Sequence, residues 1–243
     1  MRIGVVSDVH ANLEALDAVL AHLQDQSPDL IVCLGDFVGY GPNPNECVER
    51  LRPLLRAAVL GNHDEAALGG RPIDDFNLYA QAAIVWTQRV LAGATRDYLA
   101  ALPVREEVEG LVLVHGSPRK PVEEYVLDTR TARASLVDQT FRLAVVGHTH
   151  QPVIFEESNR RVSAKGFLPE VPVTLNPAKR YIINVGSVGQ PRDGDPRAAY
   201  GVIDLNDRTA TLHRVSYAIE ETQRKMEAAE LPVPLIERLA LGR

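Results

Sequence analysis

Arg2-Ile3-Gly4-Val5-Val6-Ser7-Asp8-Val9-His10 is the stretch on which the fold of this 243-residue chain turns. Ile3, Val5 and Val6 form a short β-branched run with apolar residues at successive positions, the pattern of a strand covered on both faces of its sheet. The run then breaks into Asp8 and His10, two side chains able to bind a metal ion. A helical pattern follows in Leu13, Leu16, Val19, Leu20 and Leu23. Strand then helix is the opening of a βαβ unit, and in open α/β sheets the crevice beyond the strands' carboxyl ends is where ligands bind.

The same arrangement recurs four times. Leu30–Leu34 is followed by Gly35-Asp36, and Ala57–Leu60 by Gly61-Asn62-His63-Asp64. Leu111–Val114 is followed by His115-Gly116, and Leu143–Val146 by Gly147-His148-Thr149-His150. Taken singly, an Asp after a strand is ordinarily a helix cap, and a His a satisfied polar residue. Taken together, five of the seven histidines (10, 63, 115, 148 and 150) stand at strand ends, leaving only His22 and His213 elsewhere, and chance placement does not gather them so.

Working outward, a helix is expected from Asn43-Pro44 toward Leu55, helical structure from Asp74 to Leu102 interrupted at Gly93, and a hairpin of Val104–Val108 and Leu111–Val114 turning at Glu109-Gly110. A further helix is expected over Thr129–Gln139, with strands at Val153–Phe155, Tyr181–Val185, Ala199–Asp204 and Ala210–Val215. The last 25 or so residues read as helical, broken at Pro232-Val233-Pro234, and Ser158–Asn176 reads as irregular. The expected organisation is one domain over residues 1–243, with a helical insertion at about 70–102 and a helical tail at about 217–243 that could pack on its own domain or on a second copy in a homo-oligomer.

Composition narrows the class further. Lys+Arg 26 against Asp+Glu 32 gives a net charge of -6, so no global basic field favours long nucleic acid as a partner. Cys33 and Cys47 are too few for a disulfide framework and are not spaced for thiolate zinc, which suits a reducing cytoplasm. No signal-peptide core is apparent, and no apolar run approaches the roughly 20 residues of a membrane span, so a cytoplasmic protein with no membrane partner is expected.

Asp8, His10, Asp36, Asn62, His115, His148 and His150 together offer carboxylate, amide and imidazole without thiolate, a set for a divalent ion of borderline softness. Seven ligands are too many for one ion that keeps open positions. Two ions roughly 3.5–4 Å apart, sharing a carboxylate, would use them all, and the chemistry natural to such a pair is attack of a bridging hydroxide on phosphorus.

In order and spacing, Asp8-x-His10, Gly35-Asp36, Gly61-Asn62-His63-Asp64, His115 and Gly147-His148-Thr149-His150 resemble the signature of the calcineurin-like metallophosphoesterase superfamily. Asn184-Val185-Gly186-Ser187 resembles the Asn-Pro-Gly-Ser segment of its small prokaryotic phosphodiesterases, with Val185 in place of Pro. The resemblance implies a four-layer α/β/β/α sandwich of two mixed sheets with a dinuclear site at the carboxyl ends of the strands. It further implies that Asp8, His10 and His150 bind one ion, that Asp36 bridges, and that Asn62, His115 and His148 bind the other. Manganese comes first among the candidate ions, with iron, nickel, cobalt or zinc as alternatives. Asn62 would also touch the substrate phosphate, and His63 would serve as general acid, oriented by Asp64 unless that carboxylate merely starts a helix.

One departure bears on the substrate, which is expected to be a small phosphoester. Where protein phosphatases of the superfamily read Gly-Asp-x-Val-Asp-Arg-Gly, this chain reads Gly35-Asp36-Phe37-Val38-Gly39-Tyr40-Gly41, without the phosphate-binding Arg. A singly charged, nucleotide-type diester is therefore expected ahead of a monoester. Phosphomonoesterase, dinucleoside-polyphosphate hydrolase and, more remotely, a non-catalytic scaffold are the alternatives. Arg192, a candidate for substrate binding, and Arg197 could restore part of the missing charge. Phe76, Tyr79 and Trp86 could cap the site or simply face the core.

Overall fold

In a computed structural model describing residues 1–243, the opening stretch forms strand β1 (Arg2–Val6), buried from Ile3 onward. Helix α1 (Leu13–Asp25) starts where the Asn12 side chain accepts a hydrogen bond from the Ala15 amide. In chain order follow β2 (Leu30–Cys33), α2 (Pro44–Leu51), β3 (Leu55–Ala58), α3 (Asn62–Ala67), α4 (Leu78–Val90) and α5 (Gly93–Ala100). The hairpin β4 (Arg105–Val108) and β5 (Leu111–Val114) precedes α6 (Thr129–Asp138), β6 (Leu143–Val146), β7 (Val153–Ser158) and β8 (Arg161–Gly166). The chain ends with β9 (Val173–Thr174), β10 (Arg180–Asn184), β11 (Ala198–Asp204), β12 (Thr209–Val215), α7 (Ile219–Ala228) and α8 (Val233–Glu237).

Two mixed six-stranded sheets result, with orders β3-β2-β1-β11-β12-β9 and β4-β5-β6-β10-β7-β8. Alternation along the strands sorts their side chains into layers. Ile3, Val5 and Val32 of the first sheet meet Leu111, Leu113, Val145 and Ile183 of the second in the interior between them. Val6 and Cys33 face outward against Leu16, Val19 and Leu23 of α1, and Gly4 lets that helix lie close, since a Cβ there would fall 2.9 Å from the Leu23 side chain. On the far side Val112, Ala144, Val146 and Ile182 pack on Ala132 and Leu136 of α6. This is the four-layer α/β/β/α sandwich that the motif resemblance implies.

The tail lies on its own chain. Met226, Leu231, Leu235, Ile236 and Leu239 form one cluster with Tyr40 and with Ala80 and Ala83 of α4. No helix is long and apolar enough to cross a membrane.

Three local readings are corrected. Helix α2 ends at Leu51, short of the expected Leu55, because Pro53 forces the next turn into a short 3-10 segment over Arg52–Leu54. Strand β3 runs over Leu55–Ala58 and not 57–60, because the Leu60 amide leaves the sheet to bond the Pro103 carbonyl. The stretch expected to be irregular contains β8, an edge strand paired only with β7, and the two-residue β9. Five of the six β8 residues are exposed, so no hydrophobic alternation announces it.

All four residues of β5 are buried, and Leu113 points between the sheets. Leu113→Ala is expected to cost roughly 2–5 kcal/mol in urea unfolding, the transfer loss plus a cavity that two opposed sheets cannot collapse to fill.

Candidate metal centre and active site

The parallel strands β1, β2 and β3 of one sheet, and β5, β6 and β10 of the other, release their chains toward one crevice. Turning at once after a strand requires unusual backbone. Asp8, His10, Asp36, His148 and His150 all adopt positive φ, between 49° and 66°, a left-handed conformation that non-glycine residues hold only where the surroundings enforce it. The enforcement is visible across the sheets. The Asp8 amide bonds the Gly35 carbonyl at 3.1 Å, the His148 amide reaches Asp8 Oδ1 at 3.1 Å, and the Gly189 amide reaches the Asp8 carbonyl at 2.9 Å. Gly147 makes the approach possible, since a Cβ there would lie 2.7 Å from Asp8 Oδ2. Asn184 ties the same loop down, donating to the Gly147 carbonyl at 2.6 Å and accepting from the Gly186 amide at 2.8 Å.

All seven candidate ligands are buried and converge in two overlapping groups. Asp8, His10, Asp36 and His150 form one, and Asp36, His115 and His148 the other, the ligand atoms within each group lying within 4.8 Å of one another. Asn62 joins the second, its Oδ1 2.9 Å from His115 Nε2.

Hydrogen bonding fixes the protonation pattern of the rings. His10 Nδ1 donates to the Val38 carbonyl at 3.1 Å, His150 Nδ1 to Gln190 at 2.5 Å, His115 Nδ1 to Leu34 at 2.9 Å and His148 Nε2 to Glu123 at 3.3 Å. A carbonyl only accepts, so each neutral ring carries its proton outward and turns a lone pair inward. Those lone pairs face each other: His10 Nε2 is 3.1 Å from His150 Nε2, and His115 Nε2 is 3.1 Å from His148 Nδ1. Asp36 Oδ2 lies between the groups, 3.5 Å from His10 Nε2 and 3.3 Å from His115 Nε2, with no hydrogen bond of its own. Facing lone pairs with two carboxylates call for cations, and carbonyl-anchored imidazoles are how proteins orient metal ligands. The residues fit a pair of divalent ions.

Without such ions the charge is shared among the same groups. Burial pushes His10, His148 and His150 down, so they stay neutral. Burial also opposes the charged form of His115, but the Asp36 carboxylate overrides it and raises that ring to about 9. Burial likewise works against Asp8 and Asp36, yet the neighbouring imidazoles hold both carboxylates below their usual range.

His63 is buried outside both groups. Its amide donates to Asp36 Oδ1 at 2.9 Å, and its ring stands 4.3 Å from Tyr40 and 5.0 Å from Phe76 between ring centres. Burial lowers it to about 4, against the pull of Asp36. Asp64 does not orient it by hydrogen bonding. The Asp64 carboxylate instead accepts from the Val38 and Gly61 amides, each at 3.1 Å, and so starts α3 and holds the Gly39–Tyr40 loop. Burial first, and Asp36 second, raise Asp64 to about 8.

A cavity of about 430 Å³ opens over Asn62, His63 and His148. Arg192 lines it, donating to Tyr40 Oη at 3.3 Å and to Gln190 Oε1 at 2.9 Å. Its guanidinium lies 5.6 Å from the centre of the Tyr40 ring, so a cation from the loop after β10 stands beside the residue that replaces the superfamily's Arg. Arg197 lies off the cavity, paired with Asp195 at 2.7 Å. Of the three aromatic candidates Phe76 lines the cavity, Tyr79 is exposed, and Trp86 packs with the tail. Arg71, Arg238 and Tyr125 also line it and carried no signal in the sequence. Tyr125 stacks on His148 at 3.6 Å between ring centres.

Comparison with known proteins agrees with this geometry. The calcineurin-like phosphoesterase superfamily domain matches over residues 1–208. An uncharacterized protein of Methanocaldococcus jannaschii is 41% identical over 249 residues, spanning 99% of this chain and 98% of that one. The crystal structure of a metallophosphoesterase from Sphaerobacter thermophilus superposes with a TM-score of 0.90 at 43% identity, over 100% of this chain and 99% of that chain. The phosphodiesterase YfcE of Escherichia coli K12 is 25% identical over 214 residues, 84% of this chain and 88% of that one.

Proposed function

We propose that this chain, which belongs to the calcineurin-like phosphoesterase superfamily, hydrolyses small phosphodiesters. Asp8, His10 and His150 would hold one divalent ion, Asn62, His115 and His148 the other, and Asp36 both. Manganese is the first candidate, and the mixed oxygen and nitrogen donors also suit iron, cobalt, nickel or zinc. When bound, such ions neutralise charge on phosphoryl oxygens and lower the pKa of water. The observation that carries the reading is the set of inward imidazole lone pairs around the unpartnered Asp36 oxygen.

The chain's own residues do the rest. Asn62 stands at the floor of the cavity, where its amide N–H can bind a phosphoryl oxygen while Oδ1 faces His115. Arg192, held by Gln190 and Tyr40, adds a cation on one side of that phosphate. His63 lines the same cavity and is the one imidazole there outside the ligand groups, placed to hand a proton to the departing oxygen. A phosphoryl group met by one fixed arginine suits the single charge of a diester, and the naming of the Escherichia coli relative as a phosphodiesterase supports the same choice.

Chelator-stripped protein reloaded with Mn²⁺ is expected to hydrolyse bis-p-nitrophenyl phosphate faster than p-nitrophenyl phosphate, and to lose both activities when the metal is withheld. A preference for the monoester overturns the diester reading, and turnover without any divalent ion overturns the metal assignment.

A further inference from the structure

Three arginines, Arg71, Arg192 and Arg238, line the cavity, and the last of them comes from the end of the chain. Arg238 follows α8 and is presented there by its neighbours. Leu235, Ile236 and Leu239 are buried in the cluster with Tyr40, and the Gln223 side chain donates to the Ile236 carbonyl at 2.8 Å. The very end is tied to the loop carrying Arg192, since the Gly194 amide donates to the Gly242 carbonyl at 2.9 Å. Gly242, at φ 63°, packs so tightly that a Cβ would fall 2.7 Å from the Asp195 backbone. Two segments far apart in sequence are thus locked together, and each sends one arginine into the same cavity.

Neither arginine has a carboxylate within ion-pair distance, although Asp75 and Glu123 also line the cavity. Arg192 is engaged by neutral oxygens of Gln190 and Tyr40. Arg238, half-buried, makes no side-chain hydrogen bond, and burial together with the charge of Arg192 disfavours its own charged form. Two guanidinium groups lining one cavity, held partly out of water with no carboxylate paired to either, cost free energy that an anion would return. Arg192 lies near the metal-binding groups, its amide donating to the His150 carbonyl at 3.3 Å, whereas Arg238 comes from the segment after α8.

We infer that Arg238 adds a second anion subsite beside Arg192, which is then shared between the scissile phosphate and a further one, so that the preferred substrate is a phosphodiester bearing a further, terminal phosphate. This rests on the phosphodiesterase reading. Guanidinium forks match phosphate oxygens bidentately, and two cations suit a doubly charged phosphate better than a single carboxylate does. Arg71 lines the same cavity, with a buried Nε that has no partner, although Glu65 offsets its charge at 3.4 Å.

The test compares the 5′-phosphorylated dinucleotide pApA with ApA, two diesters that differ only in the terminal phosphate. Metal-loaded protein should favour pApA by about tenfold or more in kcat/KM, the effect of one or two charge-assisted hydrogen bonds. Arg238→Ala should erase most of that ratio through KM, and Arg238→Lys should keep part of it. Arg224→Ala, on the exposed face of α7 and paired with Glu221, should leave the ratio intact. Equal rates on the two dinucleotides, or a ratio unmoved in Arg238→Ala, overturn the subsite. If neither dinucleotide nor bis-p-nitrophenyl phosphate is hydrolysed, it is the phosphodiesterase reading that fails. Titration of pApA and ApA into the metal-loaded protein by calorimetry then decides the subsite alone: a Kd preference for pApA lost in Arg238→Ala supports it, and equal affinities overturn it.

Discussion

Asp36→Asn is expected to remove at least ~10³-fold of kcat/KM on any phosphodiester, about 4 kcal/mol of transition-state stabilisation. The expectation follows from where the two carboxylate oxygens point. Oδ1 accepts from the His63 amide, a contact that an Asn side-chain oxygen keeps. Oδ2 has no partner in the protein and lies 3.5 Å from His10 Nε2 and 3.3 Å from His115 Nε2, where an amide NH₂ would replace a negative acceptor shared by both groups. Elemental analysis should find fewer than two ions per chain in the variant, with an unchanged near-ultraviolet circular dichroism spectrum. Full metal content with wild-type turnover would show that Asp36 is only a buried structural carboxylate.

His63→Ala is expected to differ in kind. The ring touches Tyr40 and Phe76 and belongs to neither ligand group, so metal content should stay at the wild-type level. With an alkoxide leaving group, which must collect a proton as it departs, the rate should fall roughly 10²–10⁴-fold. With bis-p-nitrophenyl phosphate the departing phenolate needs no proton, and the loss should be several-fold at most. Burial keeps the ring neutral near pH 7 before substrate binds, so the proton must be drawn on by the incoming phosphoester's negative charge. Equal losses on both substrates would make His63 a phosphate-binding group in place of an acid.

The metal groups were legible because every candidate ligand follows an apolar run directly. A β-branched run announces its strand, and the strand's end announces the crevice, so all the candidate ligands could be assigned to one crevice; that His115 belongs beside His148 came from the motif resemblance, and the parallel pairing of β5 with β6 is what brings the two together. Asp64 was less legible, since Gly61-Asn62-His63-Asp64 is compatible both with a carboxylate orienting His63 and with one capping a helix, and locally the cap is formed. Strand β8 was hidden because its exposed edge position leaves it without hydrophobic alternation. The cavity wall was hidden for another reason. Arg71 and Tyr125 sit on irregular loops and Arg238 in the tail, and no pattern within those segments encodes which side chain will face the site. What sequence does carry in the tail is the buried set Leu235, Ile236 and Leu239, which orients the segment and Arg238 with it.

The two sheets divide the candidate ligands between them. Asp8, His10, Asp36 and Asn62 extend from strands of the first sheet, while His115, His148 and His150 extend from strands of the second. The reaction centre is therefore a caliper closed on the seam of the sandwich: a slip of either jaw, however remote its cause, changes the gap that the ions must fit. Substitutions deep between the sheets should then reach catalysis through alignment, long before the protein unfolds, and the ions in turn act as rivets that keep the jaws in register.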